Sequence, residues 1–285
     1  MYDDNFWSSL VLFESEGKWS NDKLCLFAHF DRNNEVSDRI YYYLKSLSDA
    51  GFDIVFVSTS SGMPESVRDK LIDIVSKVIV RKNIGYDFGS WRTGYQYAGD
   101  ISHYLSLVLT NDSVIGPVNS LIDMLDAMSS SKFNVWGVTD NYEINYHAQS
   151  YFLCLDSTIL KSDFLPEFMS GIKVHDDKQM VINEYEIGLS QLALSKGFSV
   201  GAYCMYDDVV DYIMSSADEY KDRVSKGKIN STLWLCDVLL SEFKSPFVKV
   251  ELFRDNPHSV DLSGCIEYIS TRSDFPVDYI KEYTR

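Results

Sequence analysis

DIVFVSTSSGMPESVRDKLIDIVSKVIVRKNIGYDFGSWR, residues 53–92, is the stretch that decides the fold class. It opens on an apolar run, 53–60, that reads as a strand buried on both faces. A helix over 63–75 follows, with Pro64 near its start and Val67, Leu71 and Ile74 on one face. KVIVR (77–81) is the next strand. A turn at Asn83–Asp87 then leads into a helix over 87–99, although several glycines weaken that helix. Strand, helix, strand, helix at this spacing requires a parallel crossover, so the chain is of the α/β class.

The same alternation extends outward. KLCLFAHF (23–30) is a strand, and 35–51 is a helix with Val36, Ile40, Leu44 and Leu47 at helical spacing and Gly51 as its stop. SLVLT (106–110) and FNVWGVT (133–139) supply further strands. The second half is less regular, with helices at 159–169, 183–197 and 229–243, a strand at 198–206, and a short strand or loop over 245–257. No linker or repeat divides the chain. A single domain over 1–285 is expected, in two halves, 1–140 and 141–285, the second including a C-terminal extension.

Composition narrows the function. The formal net charge of −16 opposes a general role in binding nucleic acid. The five cysteines are odd in number and widely spaced, which points to neither a zinc site nor a disulfide framework. The five histidines show no ligand spacing. No stretch approaches the roughly 18 apolar residues of a membrane span. The acidic start MYDDNFWSSL is no signal peptide, so a cytoplasmic protein is expected. The dinucleotide fingerprint, the P-loop, HExxH and GxSxG are all missing from the sequence.

In a parallel sheet, ligands bind beyond the carboxyl ends of the strands. The residues placed there are His29 and Asp31, Ser58 to Ser60, Asn83 to Asp87, and Asn111 to Ser113. Gly85 permits a tight turn or a close ligand approach. Asp87 can cap the following helix, and Arg92 can fork onto a phosphate. An ordinary strand–helix turn with a surface Arg explains the same residues. Asp112 stands where a cation bridging a diphosphate would sit, and an Asx turn explains it equally well.

Taken together, LFAHFD (26–31), NIGYDFGSW (83–91), LTNDSVIGP (109–117), WGVTD (136–140), HAQSYF (147–152), YEIGLSQ (185–191) and SPFVKVELFRDNP (245–257) resemble the rhamnan synthesis protein F family of bacterial glycosyltransferases. The looser pattern is similar to glycosyltransferase family 2. The resemblance implies a GT-A fold with a mostly parallel sheet, and inverting transfer of rhamnose or another hexose from a nucleotide-diphosphate donor, with 1–140 as the nucleotide-sugar-binding half and 141–285 as the acceptor-binding half. The acceptor it implies is a lipid-linked or oligosaccharide chain of a cell-surface polysaccharide. Membrane contact would come through partner enzymes. A non-catalytic nucleotide-sugar-binding or scaffolding module of the same assembly is the rival.

On that basis His29, Asn83, Gly85, Asp87, Arg92, Asn111 and Lys249 are expected to bind the nucleotide sugar, with Arg254 beside Lys249 at the diphosphate. Asp112 is expected to be catalytic and to hold a divalent cation, Mg2+ or Mn2+. The trio Asn111-Asp112-Ser113 replaces the usual Asp-x-Asp, which leaves metal dependence open. Asp140, His147, Gln149 and Tyr151 are expected to face the acceptor. Glu184 and Glu186 both start the 183–197 helix, and periodicity does not choose between them as catalytic base. The resemblance selects Glu186.

Overall fold

The computed structural model describes residues 2–216, 220–280 and 283. The chain begins with α1 (Asp4–Ser9) and β1 (Val11–Glu16). It continues through β2 (Lys23–His29), α2 (Asp38–Asp49), β3 (Phe52–Ser58), α3 (Glu65–Ile72), β4 (Lys77–Arg81), α4 (Tyr86–Ala98) and β5 (Ser106–Asn111). The short β6 (Val114–Ile115), α5 (Leu121–Ser129), β7 (Val135–Asn141), β8 (His147–Ala148) and β9 (Phe152–Asp156) follow. Later come β10 (Val200–Cys204) and the two-residue β11 (Val248–Lys249).

The main sheet has the order β1-β4-β3-β2-β5-β9-β7-β10, with β8 paired to β7. Strands β4, β3, β2 and β5 are mutually parallel. Strand β9 runs antiparallel between β5 and β7, and β10 is parallel to β7. Strand β1 closes one edge antiparallel to β4. This is the mostly parallel, helix-flanked α/β sheet that the sequence implies.

The continuous apolar runs of the central strands have a simple cause. Alternate side chains enter two different cores. Cys25, Phe27, Ile54, Phe56, Val78 and Val80 face one way, with Ile40, Tyr43, Leu44 and Leu47 of α2. Leu24, Leu26, Ala28, Val55, Val57 and Ile79 face the other way, with Phe88 and Trp91 of α4. The glycines that weaken α4 as a helix bring it close to the sheet. A Cβ on Gly94 would lie 3.2 Å from Val57 Cγ2. Close helix–sheet packing offsets the roughly 1 kcal/mol that a helical glycine costs.

The second half departs from its reading in four places. The expected helix 159–169 is split at 161–163 into Ser157–Leu160 and Phe164–Ser170. The expected helix 229–243 is broken at Leu235 into Ser231–Trp234 and Cys236–Ser241. Residues 245–257 contain β11 and then a helix, Val250–Arg254. The 183–197 helix begins as a π-helical turn, Ile182–Ile187, before continuing as α-helix Gly188–Ser195.

Candidate active site

The carboxyl ends of β2, β3 and β5 and the start of α4 are tied together by polar groups. His29 Nδ1 lies 3.0 Å from Ser58 Oγ, and the Asp31 amide donates to Ser60 Oγ at 2.8 Å. The Phe30 amide donates to Asp112 Oδ2 at 2.8 Å. Asn111 Nδ2 donates to Asp87 Oδ2 at 2.8 Å, while Asn111 Oδ1 accepts from the amide and hydroxyl of Ser113. The four polar segments therefore meet along one edge.

Local backbone geometry aims Asp87 at this edge. Gly85 and Tyr86 are successive left-handed residues, at φ +86° and +53°. For Tyr86 this costs about 1–2 kcal/mol, which the surrounding packing must offset. A Cβ on Gly85 would also crowd the Trp7 ring at 3.1 Å. The glycine is thus required by the turn and by α1. Asp87 follows within the first turn of α4, half-buried.

Asp87 and Asp112 are close enough to repel. Burial, reinforced by the Asp112 charge, pushes the Asp87 carboxyl up to about 7, against the pull of Asn111, Lys249 and Lys178. Burial also raises Asp112, while the Phe30 amide and Arg39 favour its charged form. Lys249 stands opposite, its ammonium 4.5 Å from the centre of the Tyr151 ring. Burial lowers the Lys249 pKa, and Glu186, Glu251 and Asp87 oppose that shift. Lys249 therefore feels the charges of both Asp87 and Glu186.

The two glutamates at the helix start separate here. Glu186 Oε1 accepts the Ser150 amide at 2.9 Å, on the Lys249 side. Glu184 pairs with His175 Nε2 at 3.0 Å. The π-helical turn widens the backbone between them, a feature that recurs at functional sites.

Several expected binding residues lie elsewhere. Arg92 is buried, and its guanidinium pairs with Asp4 on α1, so it serves helix packing rather than a phosphate. Arg254 is exposed and forks onto its neighbour Asp255. Asn83 is exposed and, with Gly85, Tyr86, Val174 and His175, borders a hollow of about 300 Å³. His29 is buried, and burial pushes it down to about 3, so it is a neutral strut.

The acceptor-side candidates are mostly supports. His147 is buried, with Nδ1 2.8 Å from the Asn145 carbonyl. Gln149 accepts from Thr139 Oγ1 at 2.6 Å and donates to Asn230 Oδ1 at 3.3 Å. Tyr151 is 2% exposed, so its ring underlies Lys249 and offers no open stacking face. Asp140 is buried at the end of β7, where Oδ1 accepts the Tyr206 amide at 2.6 Å. Burial pushes its carboxyl up to about 6, against that amide.

Two neighbours escaped the sequence reading. Arg39 Nη1 donates to the carbonyls of Asp112 and Val114 at 3.0 Å each, bracing the loop that carries Asp112. Lys178 reaches the site through its charge on Asp87 and Lys249. Nothing in the spacing of either residue signals this, because only tertiary packing of the helices that carry them brings them there.

Among the described residues no group of three or more His, Cys, Asp or Glu side chains is placed to hold a metal. Asp87 and Asp112 supply two carboxylates, each with one oxygen committed to a hydrogen bond. Such a pair fits a Mg2+ or Mn2+ ion that takes its remaining ligands from phosphate and water, and a dication would relieve their repulsion.

Among curated proteins, virulence protein VirA of Vibrio anguillarum is 29% identical over 300 residues, covering 95% of this chain and 93% of its own. An uncharacterized protein, y4gN, of Sinorhizobium fredii is 30% identical over 178 residues, covering 61% of this chain and 46% of its own. Among solved structures, the mannosyltransferase PcManGT of Pyrobaculum calidifontis, in complex with GDP-Man and Mn2+, aligns at 8% identity. Its TM-score is 0.41, over 98% of this chain and 84% of that one. The glycosyltransferase GlyE of Streptococcus pneumoniae aligns at 11% identity with a TM-score of 0.34, over 73% and 50%. The model of the family Rhamnan synthesis protein F matches residues 54–284, and the chain belongs to that family.

Proposed function

We propose that this chain is an inverting glycosyltransferase. It transfers rhamnose or another hexose from a nucleoside-diphosphate donor to a growing bacterial cell-surface polysaccharide. The reading is carried by one observation: at the carboxyl edge of the parallel strands Asn111 holds the Asp87 carboxylate and the Phe30 amide holds that of Asp112, with the Lys249 charge acting on Asp87. Family membership supports it independently.

In this reading Asp87 and Asp112 hold the donor's diphosphate end, and Asn111 fixes Asp87. When bound, a Mg2+ or Mn2+ ion supplies positive charge to the departing diphosphate. Lys249 adds a second cation beside it, and Arg39 keeps the Asp112 loop in place. Glu186 is the base. Its Oε1 is held by the Ser150 amide, which orients the carboxylate toward the acceptor hydroxyl whose proton it removes. The displacement forms the new glycosidic bond as the bond to the diphosphate breaks, with no enzyme-bound sugar. The acceptor is a lipid-linked or oligosaccharide chain, met at the inner membrane face through other assembly enzymes. No helix among the described residues is long and apolar enough to cross a membrane.

The test is a thermal-shift panel of UDP, GDP, dTDP and CMP sugars with and without Mn2+, followed by radiolabelled transfer with the stabilising donor. One nucleotide sugar should raise Tm, and NAD should not, since a ligand that binds only the folded chain stabilises it. If no nucleotide sugar binds at millimolar concentration, the enzyme reading fails and a scaffolding module takes its place.

A further inference from the structure

A second cleft lies in the C-terminal half, away from the acid pair. It encloses about 530 Å³, with Arg223, Lys226, Lys228, Ile229 and Val260 in its wall. Its charge is unusual for this molecule. Residues 221–228, KDRVSKGK, carry four cations and one acid in a chain whose formal net charge is −16. Asp222 and Asp261 also line the cleft, so among the described residues of its lining the cations outnumber the acids three to two.

Aromatic rings hold two of these cations in place. The Arg223 guanidinium lies 3.6 Å from the centre of the Trp234 ring, which is itself stacked with His258 at 4.0 Å. The Lys228 ammonium lies 4.5 Å from the Tyr142 ring and 4.7 Å from the Tyr206 ring, and 3.7 Å from the exposed Asp207 carboxylate. A ring face orients a cation without cancelling its charge. Lys226 is exposed and has no ion-pair partner among the described residues. A preordered Arg, a preordered Lys and a free Lys around one concavity match the chemistry of a phosphate group.

We propose that this cleft is a second binding site, specific for a phosphate-bearing ligand and distinct from the Asp87–Asp112 edge. The segment behind it is tied to Tyr206 and Gln149 of the same half. The Ile229 amide donates to the Tyr206 hydroxyl at 3.3 Å, and Asn230 Oδ1 accepts from Gln149. The ligand's phosphate can belong to a soluble diphosphate ester or to a lipid headgroup.

Calorimetry in EDTA, with inorganic pyrophosphate as probe, tests the soluble source. Sedimentation with phosphatidylglycerol or phosphatidylcholine vesicles tests the headgroup source. Wild type and Asp112→Asn should bind alike, because the cleft does not use the acid pair. Lys226→Glu should weaken binding about tenfold or more, as expected for loss of a charge-assisted contact. Lys226→Gln should fall between, and Lys161→Glu, outside the cleft, should change nothing. Lys226-dependent binding of pyrophosphate identifies a diphosphate ester. Lys226-dependent binding of the anionic vesicles alone identifies a headgroup. If neither probe binds, or if Lys226→Glu matches wild type with both, the proposal is overturned.

Discussion

The two edges of the same parallel sheet treat their acids in opposite ways. At the amino edge, Asp53 of β3 is 2% exposed and nearly saturated. It accepts from the Ser20 amide, the Asn21 amide and side chain, Ser76 Oγ and Tyr104 Oη, all within 3.3 Å. At the carboxyl edge Asp87 has the Asn111 amide, a nearby like charge and a carboxyl pushed up to about 7. A buried acid that is fully bonded holds chain segments together. A half-buried acid left short of donors beside another acid is unfavourable by itself, and such groups gather at functional sites.

The largest effects should divide along that line. Asp112→Asn, and Asp87→Asn with it, should lower transfer by on the order of 10²–10³-fold, the range for losing one preorganised charge-stabilising group. Tm should hold or rise, because the repulsion disappears. Asp53→Ala should do the reverse. It leaves several donors unpaired and should cost about 3 kcal/mol of stability, with turnover retained in whatever remains folded. Melting curves and initial rates on the three variants check both halves. A stable, active Asp53→Ala would break the contrast.

Glu186→Gln is the next effect in size. It keeps the shape that accepts the Ser150 amide and loses basicity, so turnover should drop about 10²-fold with donor affinity unchanged. Glu184→Gln should turn over normally, since Glu184 pairs with His175. Equal loss in both variants would remove the distinction between them.

These variants also mark where the sequence speaks and where it is silent. The parallel half is legible because hydrophobic period and crossover length are local properties. Leu24 and Cys25 alternate between two cores, and the run 23–30 reads as doubly buried without any partner known. The convergence of His29, Ser58, Asp87 and Asn111 follows from the same rule about strand ends. Orientation is less legible. Arg92 reads as a phosphate ligand until α1 supplies Asp4 from 88 residues away. Arg39 and Lys178 enter the site only through tertiary placement. The break at Leu235 and the π-turn at Ile182–Ile187 are both backbone choices that no apolar period encodes.

The smallest effect concerns pH. The Asp87 carboxyl binds its proton more tightly in the folded chain, at about 7 against an ordinary 3.8. Its contribution to stability is therefore present at low pH and is lost as pH rises from about 4 to 7. Asp140 acts in the same direction up to about 6. His29, pushed down to about 3, acts oppositely, so stability rises with pH between about 3 and 6.5. The difference in Tm between Asp87→Asn and wild type isolates the first group. It should widen by a few degrees from pH 4 to 7 and then level off. A constant difference would place an ordinary carboxyl at this edge.

The central claim is that Asp87 and Asp112 form a cation-dependent diphosphate site, and proton release on binding tests it most directly. Titration of the preferred nucleoside diphosphate with Mn2+ into wild type, in buffers of different ionisation enthalpy, counts the protons displaced. With Asp87 partly protonated near pH 7, binding should release a substantial fraction of a proton at pH 6 to 6.5. That release should fade by about pH 8.5, and Asp87→Asn should abolish it. Tight binding with no proton release at any pH, or binding that, with the second cleft disabled by Lys226→Glu, is the same in EDTA and after Asp112→Asn, would contradict the account.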